Sequence, residues 1–236
     1  MKALITGGAG FIGQHLARSL RDAWELTALD LLNPQVHLDP DAAHAAFPGQ
    51  VVVADVCDPD AWARLTPPDL VIHLAAETGT AQSMYEVDRY RRINVEGTRL
   101  AGKAARDWGV PLIALSSRAV YGEGRYRCPD GSVQFGAPTC ADAVPEASRE
   151  TDEHRPVSVY AETKSAGEQL LAGCATDIPV AIIRPQNVIG PGQALHNPYT
   201  GVLAAFLARL REGQPLLVYG DGSQTRDFVH VQDLTA

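Results

Sequence analysis

The sequence predicts an α/β fold, a doubly wound parallel sheet with helices on both faces. Three observations carry that expectation. Short apolar, β-branched runs alternate with helical stretches through the first half of the chain, the pattern of right-handed βαβ units. The runs are apolar enough to belong to strands buried on both faces. A glycine-rich turn stands between the first strand and the first helix. A length of 236 residues suits one large α/β domain, or one domain with part of another.

The elements follow in order. KALIT (2–6) is a strand, GGAGFIG the turn, and Ile12, Leu16 and Leu20 mark one face of the first helix. ELTALD (25–30) is a second strand ending in an acid, VVVAD (51–55) a third, LVIHLAA (70–76) a fourth and PLIALSS (111–117) a fifth. Between the last two, 82–107 reads as long and mostly helical. From 118 to 156 Gly, Pro, Asp and Ser are frequent and no periodicity emerges. That describes a long loop, which in a compact domain tends to bind a ligand or cover one. A helix over 158–174, a strand PVAIIR (179–184), a Gly/Pro-rich loop at 185–201, a helix over 202–212, a short strand LLVYG and the segment RDFVHV (226–231) complete the chain. No internal repeat is present.

Composition excludes several function classes. Net charge is −8 with acids and bases interspersed, so there is no basic face of the kind that tracks nucleic-acid phosphates. No apolar run has the length of a bilayer span. The opening MKALITGG is too short for a signal-peptide core, so a cytoplasmic protein is expected. The four cysteines, Cys57, Cys128, Cys140 and Cys174, show no C-x-x-C spacing, and free thiols are the expectation. Cys128 and Cys140 share one loop-like region, where pairing or metal binding is the alternative. No metal is expected otherwise. GTRLAGKA (97–104) has the spacing of a phosphate-binding loop, but Ala104 replaces the hydroxyl that would hold magnesium, and the stretch lies within a helical pattern. His73 ends a buried strand and reads as a core residue with satisfied hydrogen bonds.

TGGAGFIG (6–13) carries the first chemistry. Gly7, Gly10 and Gly13 form G-x-x-G-x-x-G, and Gly8, Gly10 and Gly13 also satisfy G-x-G-x-x-G. Such glycines permit positive φ and let backbone approach a pyrophosphate closely. Phe11, Ile12 and Gly13 open the helix whose N–H groups would face that anion. Asp30 ends the next strand, where a carboxylate accepts from ribose hydroxyls and repels a 2′-phosphate. No Arg or Lys stands in 31–41, so NAD is expected over NADP. Together these make a Rossmann dinucleotide-binding fingerprint.

Tyr160 and Lys164 stand four apart in VSVYAETKSAGEQL and share a helical face. In a doubly wound sheet ligands bind beyond the carboxyl ends of the strands, and the fifth strand ends there in Ser116-Ser117. A serine, a tyrosine and a lysine beside a nicotinamide form a proton-transfer group. The ammonium and the positive ring would both draw the phenol below its ordinary value of about 10.

These residues, with Asp55-Val56, His73-Leu74-Ala75-Ala76, Asn94 and SSRAVYG, resemble the extended short-chain dehydrogenase/reductases that act on nucleotide sugars. The resemblance runs along the whole chain. It implies that Asp55 and Val56 hold the adenine, that Leu74, Ala75 and Ala76 line the cofactor's path, and that Asn94 supports the active site. Ser117 would be the catalytic hydroxyl beside Tyr160 and Lys164. RPQNVIGPGQ and YGDGSQTRDFVHV resemble the segments whose Asn187 and Arg226 meet the diphosphate of the sugar nucleotide. HNPYTGVLAAF, which holds Asn197, TGTAQSMYEVDRY and GEGRYRCPDG look like the 4-epimerase subgroup (dTDP-L-rhamnose 4-epimerase-like and UDP-glucose 4-epimerase-like).

Dehydratases and decarboxylases of the family carry acids after the catalytic hydroxyl, where this chain has Arg118 and Ala119. That favours simple oxidation and re-reduction over elimination, and epimerisation at C4 is expected. A 4-ketoreductase, a 3,5-type epimerase or a 4,6-dehydratase on the same scaffold is the alternative, and the intact Ser117, Tyr160 and Lys164 set argues against a non-catalytic NAD sensor. Arg118 is expected to touch the substrate or shape the loop. The resemblance also implies an NAD-binding Rossmann domain over 1–184 and a smaller, incomplete substrate-binding domain over 185–236. A homodimer is implied too, paired through helices of the 82–107 type.

Overall fold

The structure, a computed structural model, describes every residue of 1–236 except Pro198, Thr200 and Ser223. The stretches HNPYTGVLAAF and YGDGSQTRDFVHV are therefore described apart from those three positions. The first half contains β1 (Lys2–Thr6), α1 (Phe11–Leu20), β2 (Glu25–Asp30), α2 (Pro40–Ala46), β3 (Gln50–Val53), α3 (Pro59–Ala63) and β4 (Leu70–His73). There follow α4 (Thr80–Ser83), α5 (Val87–Tyr90), a π-helical turn (Arg91–Glu96), α6 (Gly97–Trp108) and β5 (Leu112–Leu115). The remainder holds a 3₁₀ turn (Arg118–Tyr121), β6 (Arg125–Arg127), β7 (Val133–Phe135), β8 (Val144–Glu146), α7 (Val159–Cys174), β9 (Val180–Ile183), β10 (Asn187–Ile189), α8 (Val202–Arg211), β11 (Phe228–His230) and α9 (Val231–Leu234).

Six strands form the central sheet in the order β3-β2-β1-β4-β5-β9, all parallel. Strand order reverses between β1 and β4, and a ligand crevice opens at such a switch point, outside the carboxyl ends of the strands. Period-two alternation divides the core between the two faces. Leu4, Leu29 and Val71 pack with Trp62, Leu100 and Leu171 in one cluster; Ala3, Ile5, Ala28 and Ile72 pack with Ala17 and Phe47 in the other.

Helix starts obey local chemistry. Asp39 and Asp58 cap α2 and α3, each with proline at the first turn, and the Ser158 hydroxyl accepts from the Ala161 N–H to cap α7. Helix α1 differs, because its N-cap is Gly10 and no side chain caps it.

The 82–107 stretch is mostly helical, as expected, although it breaks after Ser83 and widens into a π turn at Arg91–Glu96. Four other expectations need correction. The 118–156 segment is not wholly loop: β6 pairs antiparallel with both β7 and β8, and strands of three residues are too short to show a period. Two of the cysteines are not free, because Cys128 and Cys140 form a disulfide within that small sheet, leaving Cys57 and Cys174 as thiols. LLVYG is not a strand; Leu217 and Tyr219 are exposed, and among the described residues no strand pairs with the stretch. The 185–201 segment likewise contains β10, which pairs in parallel with β11 as a separate two-stranded sheet.

Candidate active site

The glycine turn closes β1 onto α1 where the sheet order reverses. Gly7 has φ +67°, and a Cβ there would lie 2.9 Å from the Ala75 backbone, so the turn passes directly against the chain leaving β4. The Thr6 hydroxyl accepts from the Leu74 and Ala75 N–H groups, each at 3.2 Å, and fixes that approach. The first-turn amides of Phe11, Ile12 and Gly13 have no intrahelical acceptor by geometry. With no side-chain cap, they form a donor set suited to a pyrophosphate. Gly10 and Phe11 open onto a cavity of about 550 Å³, bordered also by His37, Gln193 and His196.

Asp30 is buried at the end of β2. Its Oδ2 accepts from the Ala9 N–H (3.0 Å) and its Oδ1 from the Leu32 N–H (2.9 Å), which fixes the carboxylate beside the glycine turn. His37 Nε2 lies 3.7 Å from Asp30 Oδ1. Asp55 accepts from the Cys57 N–H and from Arg92; although burial opposes its charge, these donors hold its carboxyl below the ordinary range. Val56 is packed into the core, and its carbonyl takes the Trp62 indole N–H at 2.8 Å.

Asn94 occupies the π turn and is 2% exposed. Its Oδ1 accepts from the Glu77 N–H at 2.8 Å, while Nδ2 donates to Glu77 O and to Thr163 Oγ1, both at 3.0 Å. The π widening thus aims one amide at both the chain beyond Ala76 and α7. Ser83, fully buried, takes the Tyr160 N–H on its hydroxyl at 3.0 Å. Sequence reasoning missed Ser83 and Thr163, which belong to no motif and are visible only once α4 and α7 are packed together.

Ser117, Tyr160 and Lys164 converge at the end of β5. The Ser117 hydroxyl, which accepts from the Ala119 N–H, stands near the Tyr160 phenol, and Lys164 Nζ donates to Leu115 O at 2.9 Å. Burial pushes the Tyr160 phenol above its ordinary value, with the Ser117 hydroxyl and the Arg118 charge pulling it back. Lys164 does not act on the Tyr160 phenol in the protein alone, its ammonium donating to the Leu115 carbonyl; the expectation that the ammonium and the nicotinamide ring draw the phenol down concerns the NAD-loaded site. Burial lowers Lys164 to about 8, while Glu168 one turn further along the helix pulls the other way. His73 is satisfied, as expected, by Thr6 Oγ1 at 2.7 Å and Thr98 Oγ1 at 3.0 Å, and burial lowers it to about 3.

Arg118 begins the 3₁₀ turn, and among the described residues its guanidinium has no hydrogen bond or ion pair. Burial and the nearby Arg226 charge lower its pKa, while Glu123 and Tyr160 pull it up. Asn187 starts β10, its N–H bonded to Asp227 O at 3.2 Å, so Asn187 and Arg226 lie at adjoining ends of the small parallel sheet. Asn197 is placed elsewhere. Its Oδ1 takes the Tyr199 N–H at 3.0 Å, and the Tyr199 hydroxyl meets that of Tyr85, on the side of the site beyond α4. No group of His, Cys, Asp and Glu among the described residues is arranged to hold a metal ion, and no described helix is long and apolar enough to cross a membrane.

Known proteins match this geometry. The chain is 40% identical to dTDP-L-rhamnose 4-epimerase of Burkholderia thailandensis, covering 99% of this chain and 70% of that protein. It is 34% identical to UDP-glucose 4-epimerase of Mycolicibacterium smegmatis, over 99% of this chain and 71% of the other. Among solved structures, UDP-glucuronic acid 4-epimerase from Bacillus cereus, in complex with UDP-glucuronic acid and NAD, superposes with a TM-score of 0.83 at 28% identity. That match covers all of this chain and 71% of the other. The model of the NAD dependent epimerase/dehydratase family matches residues 3–236. An uncapped glycine turn, a buried Asp30 and a convergent Ser117, Tyr160 and Lys164 thus stand in a chain that belongs to the NAD dependent epimerase/dehydratase family.

Proposed function

We propose that the chain catalyses epimerisation of a nucleotide-activated hexose at C4, through a transient 4-keto sugar, with NAD as resident cofactor. The observation that carries this reading is the buried Tyr160 phenol beside Ser117 and Lys164, on the rim where the uncapped α1 and Asp30 also lie. When bound, NAD would supply reversible hydride-transfer chemistry at C4. Tyr160 takes the O4 proton and gives it back. Ser117 shares that proton's hydrogen bond and orients the O4 hydroxyl. Lys164 contributes positive charge and an ammonium donor for the nicotinamide ribose, while Asp30 accepts from the adenosine ribose. The Gly7, Gly10 and Gly13 turn, with the Phe11 and Ile12 amides, would receive the pyrophosphate. Asp55, Val56, Leu74, Ala75, Ala76 and Asn94 border the cofactor's path in the same reading.

Arg226 and Asn187 suit the substrate diphosphate, since a guanidinium donates to two phosphate oxygens at once. Arg118 stands near both Arg226 and Tyr160, and a half-buried guanidinium with no ion pair among the described residues is ready for a substrate oxygen. Arg118 and Ala119 occupy the place where elimination would need an acid. Asn197 is read as a substrate contact on the Tyr85 and Tyr199 side. In this reading 1–184 is the cofactor domain and 185–236 belongs to the substrate domain, in a cytoplasmic homodimer. A groove between the π turn and α7, lined by Arg91, Glu96, Glu162 and Ala166, supports pairing through those helices.

The test is proton NMR of the intact protein in D₂O with dTDP- and UDP-hexoses. Inversion at C4 with no deuterium on the ring is expected. Deuterium at C3 or C5, or a product lacking water, would replace the reading with enolisation chemistry. Arg118→Ala is expected to raise KM about tenfold or more, the loss of one charge-assisted hydrogen bond; an unchanged KM and kcat would remove Arg118 from the substrate site.

A further inference from the structure

Behind Tyr160 and Lys164 lies a polar network that no motif identified. Glu168 follows Lys164 by one helical turn on α7 and is 7% exposed. Its Oε1 takes the Ser116 hydroxyl, the residue immediately before Ser117. Arg184, at the end of β9, donates from Nε to Oε1 and Oε2 at 3.0 and 3.1 Å, and from one terminal nitrogen to Oε2 at 2.6 Å. The rest of the guanidinium is also occupied. Tyr121 Oη and Glu150 O accept from it at 2.9 and 3.0 Å, and His154 Nε2 accepts at 2.8 Å. His154 Nδ1 then carries the ring proton and donates to Ser165 Oγ at 2.8 Å. One carboxylate therefore ties α7 to the tip of β5, the end of β9 and the 3₁₀ turn that carries Arg118.

We propose that Glu168 is a positioning residue of the reaction, holding the Ser116–Ser117 strand end against α7 and serving as counter-charge to the Lys164 ammonium. The inference rests on Tyr160 and Lys164 acting as the proton-transfer pair. The groups facing Lys164 have separate roles. Leu115 O from β5 accepts its hydrogen bond, His73 at the end of β4 is neutral and adds no charge, and Tyr160 shares its helix. Arg184 is neutralised by Glu168 itself. Glu168 is thus the anion acting on Lys164, and its attraction partly offsets the burial that lowers the ammonium to about 8. Removing that charge also leaves Arg184 uncompensated nearby, and both changes favour the neutral amine.

The experiment follows the Lys164 side-chain resonance against pH in the NAD-loaded protein, beside the pH profile of kcat. Glu168→Gln keeps the shape and an acceptor oxygen but loses the charge; Glu168→Asp keeps the charge but withdraws from Ser116. In Glu168→Gln the Lys164 midpoint is expected to fall, weakening its proton affinity tenfold or more. The alkaline limb of kcat should move to lower pH with it. In Glu168→Asp both should stay near the wild-type pH while kcat falls several-fold. A Lys164 resonance unmoved in Glu168→Gln would overturn the role of Glu168. A moved resonance with an unmoved limb would overturn the part given to Lys164 in the reaction, and the positioning role with it.

Discussion

Tyr160→Phe is expected to lower kcat by roughly 10²–10⁴-fold, the usual range for a positioned acid–base group, while leaving the fold and NAD binding in place. The ring stays buried and the variant keeps its shape, so the core is not disturbed. What disappears is one buried hydroxyl beside Ser117, worth about 1 kcal/mol of stability. For a chain of this length that is a shift in Tm of roughly 2–4 °C. Activity loss and stability loss therefore separate cleanly, and both are readable by steady-state kinetics and thermal melting on one preparation. Burial alone opposes a phenolate here, so the proton can leave Tyr160 only while cations and the Ser117 hydroxyl stabilise its oxygen. Ser117→Ala, which removes one of these and spares the base, is expected to cost less than Tyr160→Phe. Equal turnover in Tyr160→Phe and the parent would reassign the base.

The cofactor half of the site was legible because its determinants are local. Glycines at fixed spacing, a strand before and a helix after, and an acid at the next strand end lie within thirty residues of the N-terminus. The Tyr160–Lys164 pair was legible for the same reason, as an i, i+4 repeat. The Glu168 to Arg184 contact was not, since it joins a helix to the end of a strand through a carboxylate that reads in sequence as an ordinary helical glutamate. Ser83 and Thr163 were hidden likewise. The π turn escaped because one extra residue per turn barely disturbs apolar spacing. The disulfide escaped because an overall bias toward free thiols says nothing of how a short hairpin brings Cys128 to Cys140. The four-residue spacing places Lys164 on the right face without saying that Leu115 O would claim its ammonium.

Gly13→Ala is expected to disable cofactor binding and to destabilise the fold together. A Cβ at this position would lie 2.5 Å from Gly8 O, 2.6 Å from Gly7 O and 2.6 Å from Gly8 Cα. All three are backbone atoms of the turn, so no rotamer change relieves the overlap and α1 must move away from β1. Overpacking of this kind costs about 3 kcal/mol, or roughly 6–12 °C in Tm for a chain of this size. The same displacement carries the Phe11 and Ile12 amides away from the anion they would face, so NAD affinity should fall at least tenfold. Gly109→Ala is the control that separates strain from collision. Gly109 has φ +67° at the end of α6, yet nothing lies within 4 Å of an added Cβ, so only the left-handed backbone is penalised, at about 1 kcal/mol. Its NAD affinity should match the parent. The two variants are compared by thermal melting and by NAD titration, the second readout deciding. If Gly13→Ala melts lower but binds NAD as the parent does, the glycine serves packing alone and the α1 amino end is not where the pyrophosphate sits.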